Sequence, residues 1–161
     1  MRDSELHIRS ALAADADGLL PIWQETVETM TRLDSRYRIA ANGAERWRAS
    51  FVAGLSDPDR HTALILRGDK PIGYMVGTVQ ANAPGLLPEM IGVIVELSVD
   101  SHGQGGGVGT QLFATLSDWF KTRGVSHIEL RVPSRNPIAQ AFWRALGATS
   151  LYDQLWIKLR D

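Results

Sequence analysis

Gln104-Gly105-Gly106-Gly107-Val108-Gly109 stands between an apolar run and an amphipathic one, and its reading decides the fold. Upstream, Ile91 to Val99 alternates as a buried strand does: Val93, Val95, Leu97 and Val99 share one face, and Gly92, Ile94, Glu96 and Ser98 the other. Downstream, Val108, Leu112, Leu116, Trp119 and Phe120 recur at helical spacing, with Lys121 and Arg123 in the last turn before Gly124. The unit is strand, glycine-rich turn, helix. Such a turn aims unpaired backbone N–H groups at one point, where the positive end of the helix dipole reinforces them. That point suits an anion, most naturally a phosphate or pyrophosphate.

Spacing separates the loops that share this grammar. A Walker loop needs Gly-x-x-x-x-Gly-Lys-Ser/Thr, but Gly109 is followed by Thr110 and Gln111. A dinucleotide fingerprint needs Gly-x-Gly-x-x-Gly; counted from Gly103 the sixth residue is Val108, and from Gly105 it is Thr110. What remains is Gln-x-x-Gly-x-Gly, ending at Gly109 and opening a helix.

This segment resembles the acetyl-CoA-binding signature of the GNAT superfamily of N-acetyltransferases, Arg/Gln-x-x-Gly-x-Gly/Ala. Val99-Asp100, Asn136-Pro137, Phe142-Trp143 and Gly147-Ala148 extend the likeness in the same order. The resemblance implies a central mixed, mostly antiparallel sheet flanked by helices, with a parallel strand pair around the CoA-binding loop. It implies acetyl-CoA as co-substrate, held by Leu97, Ser98, Val99, Gln104, Gly105, Gly106, Gly107, Val108, Gly109 and Thr110, with Asn136, Phe142 and Trp143 adding contacts. In that family the strands on either side of the loop helix part near their C-terminal ends and admit the pantetheine arm. Carried over, these are Glu96 to Val99 and His127 to Val132. Pro133 fits such a departure, and fits a plain strand end equally well.

Composition sets the outer limits. The chain has 161 residues, 44% of them hydrophobic, which suits one domain over residues 1–161. A formal net charge of -1 and no long basic run give no reason to expect nucleic acid. The absence of cysteine excludes structural disulfides and an acyl-cysteine intermediate. His7, His61, His102 and His127 lack metal-ligand spacing. The polar start, Met1-Arg2-Asp3-Ser4-Glu5, resembles no signal segment, and no apolar run reaches membrane-spanning length. A soluble cytoplasmic protein, with a homodimer possible and no membrane partner, is the expectation.

The remaining elements follow in order. Leu6 to Arg9 reads as a strand; Asp15 or Asp17 caps a helix with Leu20, Trp23, Val27 and Met30 on one face. Thr31 to Gly43 reads as a loop, and Ala44 to Leu55 as a helix carrying Trp47, Phe51 and Leu55. Thr62 to Leu66 and Ile72 to Val79 form a hairpin. His127 to Val132 is a strand parallel to the one before the loop. Asn136 and Pro137 open a helix with Ile138, Phe142 and Leu146 on its stripe, and Leu151 to Leu159 closes the chain as a strand.

Transfer of an acetyl group to an amine needs a neutral amine, a stabilised oxyanion and a tolerated thiolate. Glu96 is the candidate base, because a carboxylate in an otherwise apolar strand costs desolvation unless it is partnered or put to use. Pairing with an arginine such as Arg131, or exposure to solvent, would also explain it. Where the family often has a tyrosine as general acid, this chain has Trp143, whose indole is no proton source. Solvent, or Tyr152, would protonate the thiolate instead. Asn136 either contacts the cofactor or simply caps its helix. The segment Met30 to Arg38 would wall the acceptor, a small-molecule or peptide amine, with Asp34 and Tyr37 as candidate contacts. Direct attack in a ternary complex is the expected route. A catalytically silent acyl-CoA sensor on the same fold, and a protein that uses the loop for another nucleotide, are the competing functions.

Overall fold

The computed structural model describes residues 5–160; the polar start, residues 1–4, and residue 161 lie outside the described residues. In order come β1 (Leu6–Ser10), a 3-10 turn (Ala13–Asp15), α1 (Ala16–Leu33), α2 (Gly43–Gly54), β2 (Arg60–Arg67), β3 (Lys70–Ala81), β4 (Met90–Val99), α3 (Val108–Thr122), β5 (Ile128–Leu130) and α4 (Pro137–Ala145). They fall into two compact units, Met1–Arg131 and Val132–Asp161.

The first unit holds a five-stranded sheet in the order β1-β2-β3-β4-β5. Neighbours run antiparallel except β4 and β5, which are parallel, so the mixed sheet expected from the sequence is present. Alternation along β2 and β3 sends Leu64, Leu66, Tyr74 and Val76 to one face. There they meet Ala16, Leu19 and Ile22 of α1 and Trp47 and Phe51 of α2. The buried stripe of α1 is therefore turned from the expected one, with Leu20 and Trp23 only flanking the core. Asp15 precedes α1, but its carboxylate takes two N–H groups of Arg9, at 2.7 and 2.8 Å, and the N–H of Leu12. It ties β1 to the helix entrance.

The other face receives α3, whose Val108, Leu112, Leu116 and Phe120 are all buried. Close approach is possible because the strands present glycine beneath the helix. A Cβ at Gly77 would lie 2.7 Å from the Phe120 ring and 2.9 Å from Leu116, and one at Gly92 would lie 2.8 Å from the same ring. At the far end of α3, Arg123 donates to the carbonyl of Pro58 at 2.7 Å and pairs with Asp59.

In the second unit Asn136 caps α4 as expected: its side-chain oxygen accepts from Ala139 N–H at 3.1 Å, and Pro137 follows in the first turn. Two expectations fail here. Ile138 is exposed, and Trp143 is the buried residue of α4. Nor is Leu151 to Leu159 a strand: residues 148–160 carry no regular structure, and their large apolar side chains are exposed. Alternating hydrophobicity defines a face, but a strand also needs a neighbour to complete its ladder of backbone hydrogen bonds.

The glycine seat of α3 yields a prediction. Gly77→Ala should force Phe120 and Leu116 from their packed positions and destabilise the protein by about 1–3 kcal/mol. Denaturant unfolding should show a lower midpoint with an unchanged slope.

Candidate active site

The site begins with a break in the β4 ladder. Ile94 pairs with Gly77 and Glu96 with Val76, which leaves Val95 as the extra residue of a bulge. Gly92, whose Cβ position abuts Phe120, faces α3. One residue of slip then reverses the alternation, so Glu96 and Ser98 turn to the face of their cross-strand partners Val76 and Tyr74. The sequence reading that put Gly92, Ile94, Glu96 and Ser98 on one face is corrected by this bulge. The pairing of β5 with β4 stops at the same place. It joins Gly92, Val93 and Ile94 to Ile128, Glu129 and Leu130 and goes no further. From Val95 to Val99, β4 is paired with β3 alone, so Leu97, Ser98 and Val99 lie along an edge with no described strand beside it.

Glu96 is mostly buried on this inner face. It pairs with neither Arg131 nor any other arginine among the described residues. The Trp47 indole N–H donates to its Oε1 at 3.0 Å, and the Tyr74 hydroxyl donates to the same oxygen. Burial pushes the Glu96 carboxyl above the usual carboxylate range; the hydrogen bonds from Tyr74 and Trp47 and the positive charge of Arg60 offset only part of that. The Tyr74 phenol is pushed upward too, by burial first and then by the Glu96 charge and hydrogen bond, so it serves as a donor only. Ser98 Oγ is buried without a hydrogen bond of good geometry, yet it lies close enough to act on the Tyr74 hydroxyl.

Beyond Val99 the chain folds back tightly. Asp100 N–H donates to Ile72 O at 2.8 Å, Gly103 N–H to Asp100 O at 2.8 Å, and His102 N–H to the Asp100 carboxylate at 2.7 Å. Burial pushes the Asp100 carboxyl up, but the His102 contacts and Lys70 outweigh it and leave it below its ordinary value. Gln104 reaches back to the carbonyl of Val99 at 3.4 Å. Gly107 is the residue before α3, with φ at 74°, and Gly105 has φ at 84°; added Cβ atoms there would meet nothing within 4 Å. The space beside these two glycines is therefore open. The first-turn N–H groups of Val108, Gly109 and Thr110 have no acceptor inside the helix and point out of its N-terminus. An anionic group such as a pyrophosphate fits this opening.

The other candidates belong to other elements of the chain. Asp34 is buried, and its two oxygens take the Nε–H of Arg36 at 2.9 and 3.1 Å. Its carboxylate organises the turn after α1, on which Tyr37 is exposed. Asn136, Phe142, Trp143 and Tyr152 all belong to the second unit. Phe142 and Trp143 pack edge to face with ring centres 4.9 Å apart, and Tyr152 is exposed in the irregular tail. In the sequence Trp47 reads only as a core residue of its helix, and Tyr74 does not stand out. Both carry a polar tip on an apolar body, and a buried tip needs a partner; Glu96 was the unpartnered polar group one strand away. Among the described residues no helix is long and apolar enough to cross a membrane.

The fold agrees with what known proteins show. The family model described as the Acetyltransferase (GNAT) family matches residues 21–148, and the chain belongs to that family. It is thus an acetyl-CoA-dependent acyltransferase by family. No curated protein matches the sequence. Among solved structures, the fold is similar to a tetramutant of the BH1408 protein from Bacillus halodurans, at 22% identity and a TM-score of 0.84, covering 95% of this chain and 99% of that one. It is similar to a ribosomal-protein-alanine N-acetyltransferase from Brucella melitensis biovar Abortus 2308, at 14% identity and a TM-score of 0.71, over 97% of this chain and 100% of that one. AAC(6')-Iy in complex with the bisubstrate analogue CoA-S-monomethyl-acetylneamine is similar at 14% identity and a TM-score of 0.72, over 98% of this chain and 100% of that one.

The buried carboxylate predicts a pH-dependent stability. With its folded-state pKa raised, the stability tied to Glu96 is full below the unfolded carboxylate pKa and is lost as pH rises through the folded one. Glu96→Gln, which keeps an acceptor for Trp47 and Tyr74, should therefore raise Tm near about pH 8. The gain should shrink as the medium is acidified, and paired thermal melts across the pH range check it.

Proposed function

We propose that the chain transfers the acetyl group of acetyl-CoA to a primary amine by direct attack, with Glu96 accepting the amine proton. The observation that supports this most directly is the end of the β4–β5 pairing at Ile94 and Leu130, which leaves the stretch of β4 that carries Glu96 and runs on towards the Gly105–Gly107 loop without a second strand neighbour. On this reading the loop N–H groups and the start of α3 hold the pyrophosphate of CoA, and the open edge of Leu97, Ser98 and Val99 meets its extended arm. Acetyl-CoA supplies an acyl group activated as a thioester. As the new N–C bond forms and the C–S bond breaks, Glu96 removes one proton from the amine, and the thiolate takes its proton from solvent. With no cysteine in the chain, an acyl-cysteine intermediate is excluded. We assign residues 1–161 to one acetyltransferase domain, since the family match runs across both compact units.

The acceptor is a small-molecule or peptide amine. Tyr37 is the candidate contact on the turn after α1, while Asp34, already engaged by Arg36, shapes that turn.

Two measurements test the reading. Gly109 sits in the first turn of α3, where a branched side chain would cover the outward N–H groups without needing a positive φ. Gly109→Val should weaken CoA binding at least tenfold, or ~1.4 kcal/mol, in calorimetric titration. Unchanged affinity in the folded variant would remove the loop assignment. Thiol release over a panel of amines then identifies an acceptor, and with it Glu96→Gln should lose roughly 10²- to 10⁴-fold in turnover while CoA affinity holds. Near-normal turnover would take Glu96 out of the mechanism.

A further inference from the structure

Both described donors to the Glu96 carboxylate converge on one oxygen. Trp47 reaches Oε1 from α2 and Tyr74 reaches it from β3. Oε2 accepts no hydrogen bond from any described residue, and Glu96 as a residue is not fully buried. The two donors are themselves held firmly. The Trp47 indole is stacked with Trp23 and with Phe51, at 5.6 and 5.2 Å between ring centres and 22° between planes in each case. Tyr74 is fully buried and sits edge-on to Phe51, with centres 6.5 Å apart.

We propose that Trp47 and Tyr74 are positioning residues that pin Oε1 of Glu96 and so make Oε2 the atom that receives the proton of the acceptor amine. This rests on the reading of Glu96 as the base. Two neutral donors on one oxygen fix the plane of the carboxyl group, whose last torsion is otherwise soft. They draw negative charge towards Oε1 and favour the ionised form, which burial opposes. Among the described residues, the charged or titratable groups acting on Glu96 are Tyr74 from β3 and Arg60 from β2; α2 contributes only the indole. Arg60 favours the same ionised form. The proton then moves along a single path. The amine N–H bond breaks, an O–H bond forms at Oε2, and that proton then leaves to solvent.

Removing a donor should make Glu96 harder to ionise. Tyr74→Phe keeps the ring in the core and deletes only the hydroxyl, so the fold should survive. In the free protein, carboxyl-carbon NMR should show Glu96 titrating higher by about one pH unit. With an amine that the wild-type protein acetylates, the acidic limb of kcat against pH should move up by the same amount. Turnover should fall about tenfold on that limb and recover in alkali, with KM for acetyl-CoA unchanged. Trp47→Phe, a second variant that retains an aromatic ring in the stack, should shift the limb in the same direction. A rate lowered equally at every pH, with the Glu96 titration unmoved, would show that the two residues only pack and would overturn the proposal. Failure of the underlying reading looks different: Glu96→Gln would itself turn over normally, whatever Tyr74→Phe did.

Discussion

A single extra residue in β4 sets the geometry on which the rest depends. Val95 has no partner on β3, so every side chain after it is reversed relative to those before it. Before the bulge β4 is an interior strand, with β3 and β5 on either side and glycine beneath Phe120. After it β4 has β3 alone and aims Glu96 at Trp47 and Tyr74. The change of face and the loss of the second neighbour occur within one residue of each other. That coincidence puts a carboxylate and an open strand edge at the same place, next to the turn into α3.

Such a site is costly, and its surroundings show where the cost is met. Moving a carboxylate out of water is unfavourable even with two hydrogen bonds, as the upward displacement of its pKa shows. The stabilising contributions lie around it. One is the aromatic group of Trp23, Trp47, Phe51 and Tyr74 on the inner face. Another is α3 seated on Gly77 and Gly92 across the sheet. The same aromatic residues that fill the core also supply the donors, so packing and positioning come from one set of side chains. A carboxylate kept partly against its preference is a better proton acceptor than one in water, which is the use general base catalysis makes of burial.

Period and spacing carried much of this in the sequence. The helical recurrence of Val108, Leu112, Leu116 and Phe120, the hairpin turn before Pro71 and the Asn136-Pro137 cap each follow from local rules, and each is found in place. The glycine turn into α3 was legible because the positive φ at Gly105 and Gly107 is a backbone requirement that few residue types permit. Glu96 stood out as a charge in an apolar strand, but its face and its partners did not. A bulge leaves no mark in a run of Gly-Val-Ile-Val-Glu, and Trp47 lies far from Glu96 in the chain. The closing strand failed for a related reason. Leu151 to Leu159 has a strand's alternation, but whether it pairs depends on what stands beside it.

The same distinction explains why cofactor and acceptor differ so much in how readily they can be inferred. A phosphate met by main-chain N–H groups constrains the sequence through conformation: residues must be small, turn sharply and open a helix. Those requirements are few and local, and on the proposed reading of the loop they account for the short pattern from Gln104 to Gly109. An acceptor amine would be met by side chains on the turn after α1, where Asp34 and Arg36 satisfy one another and Tyr37 is exposed. Any residue type can occupy a solvated turn, so such a wall can be remodelled without disturbing β4, α3 or the loop between them. Chemistry held by the backbone stays fixed while recognition held by side chains is free to vary.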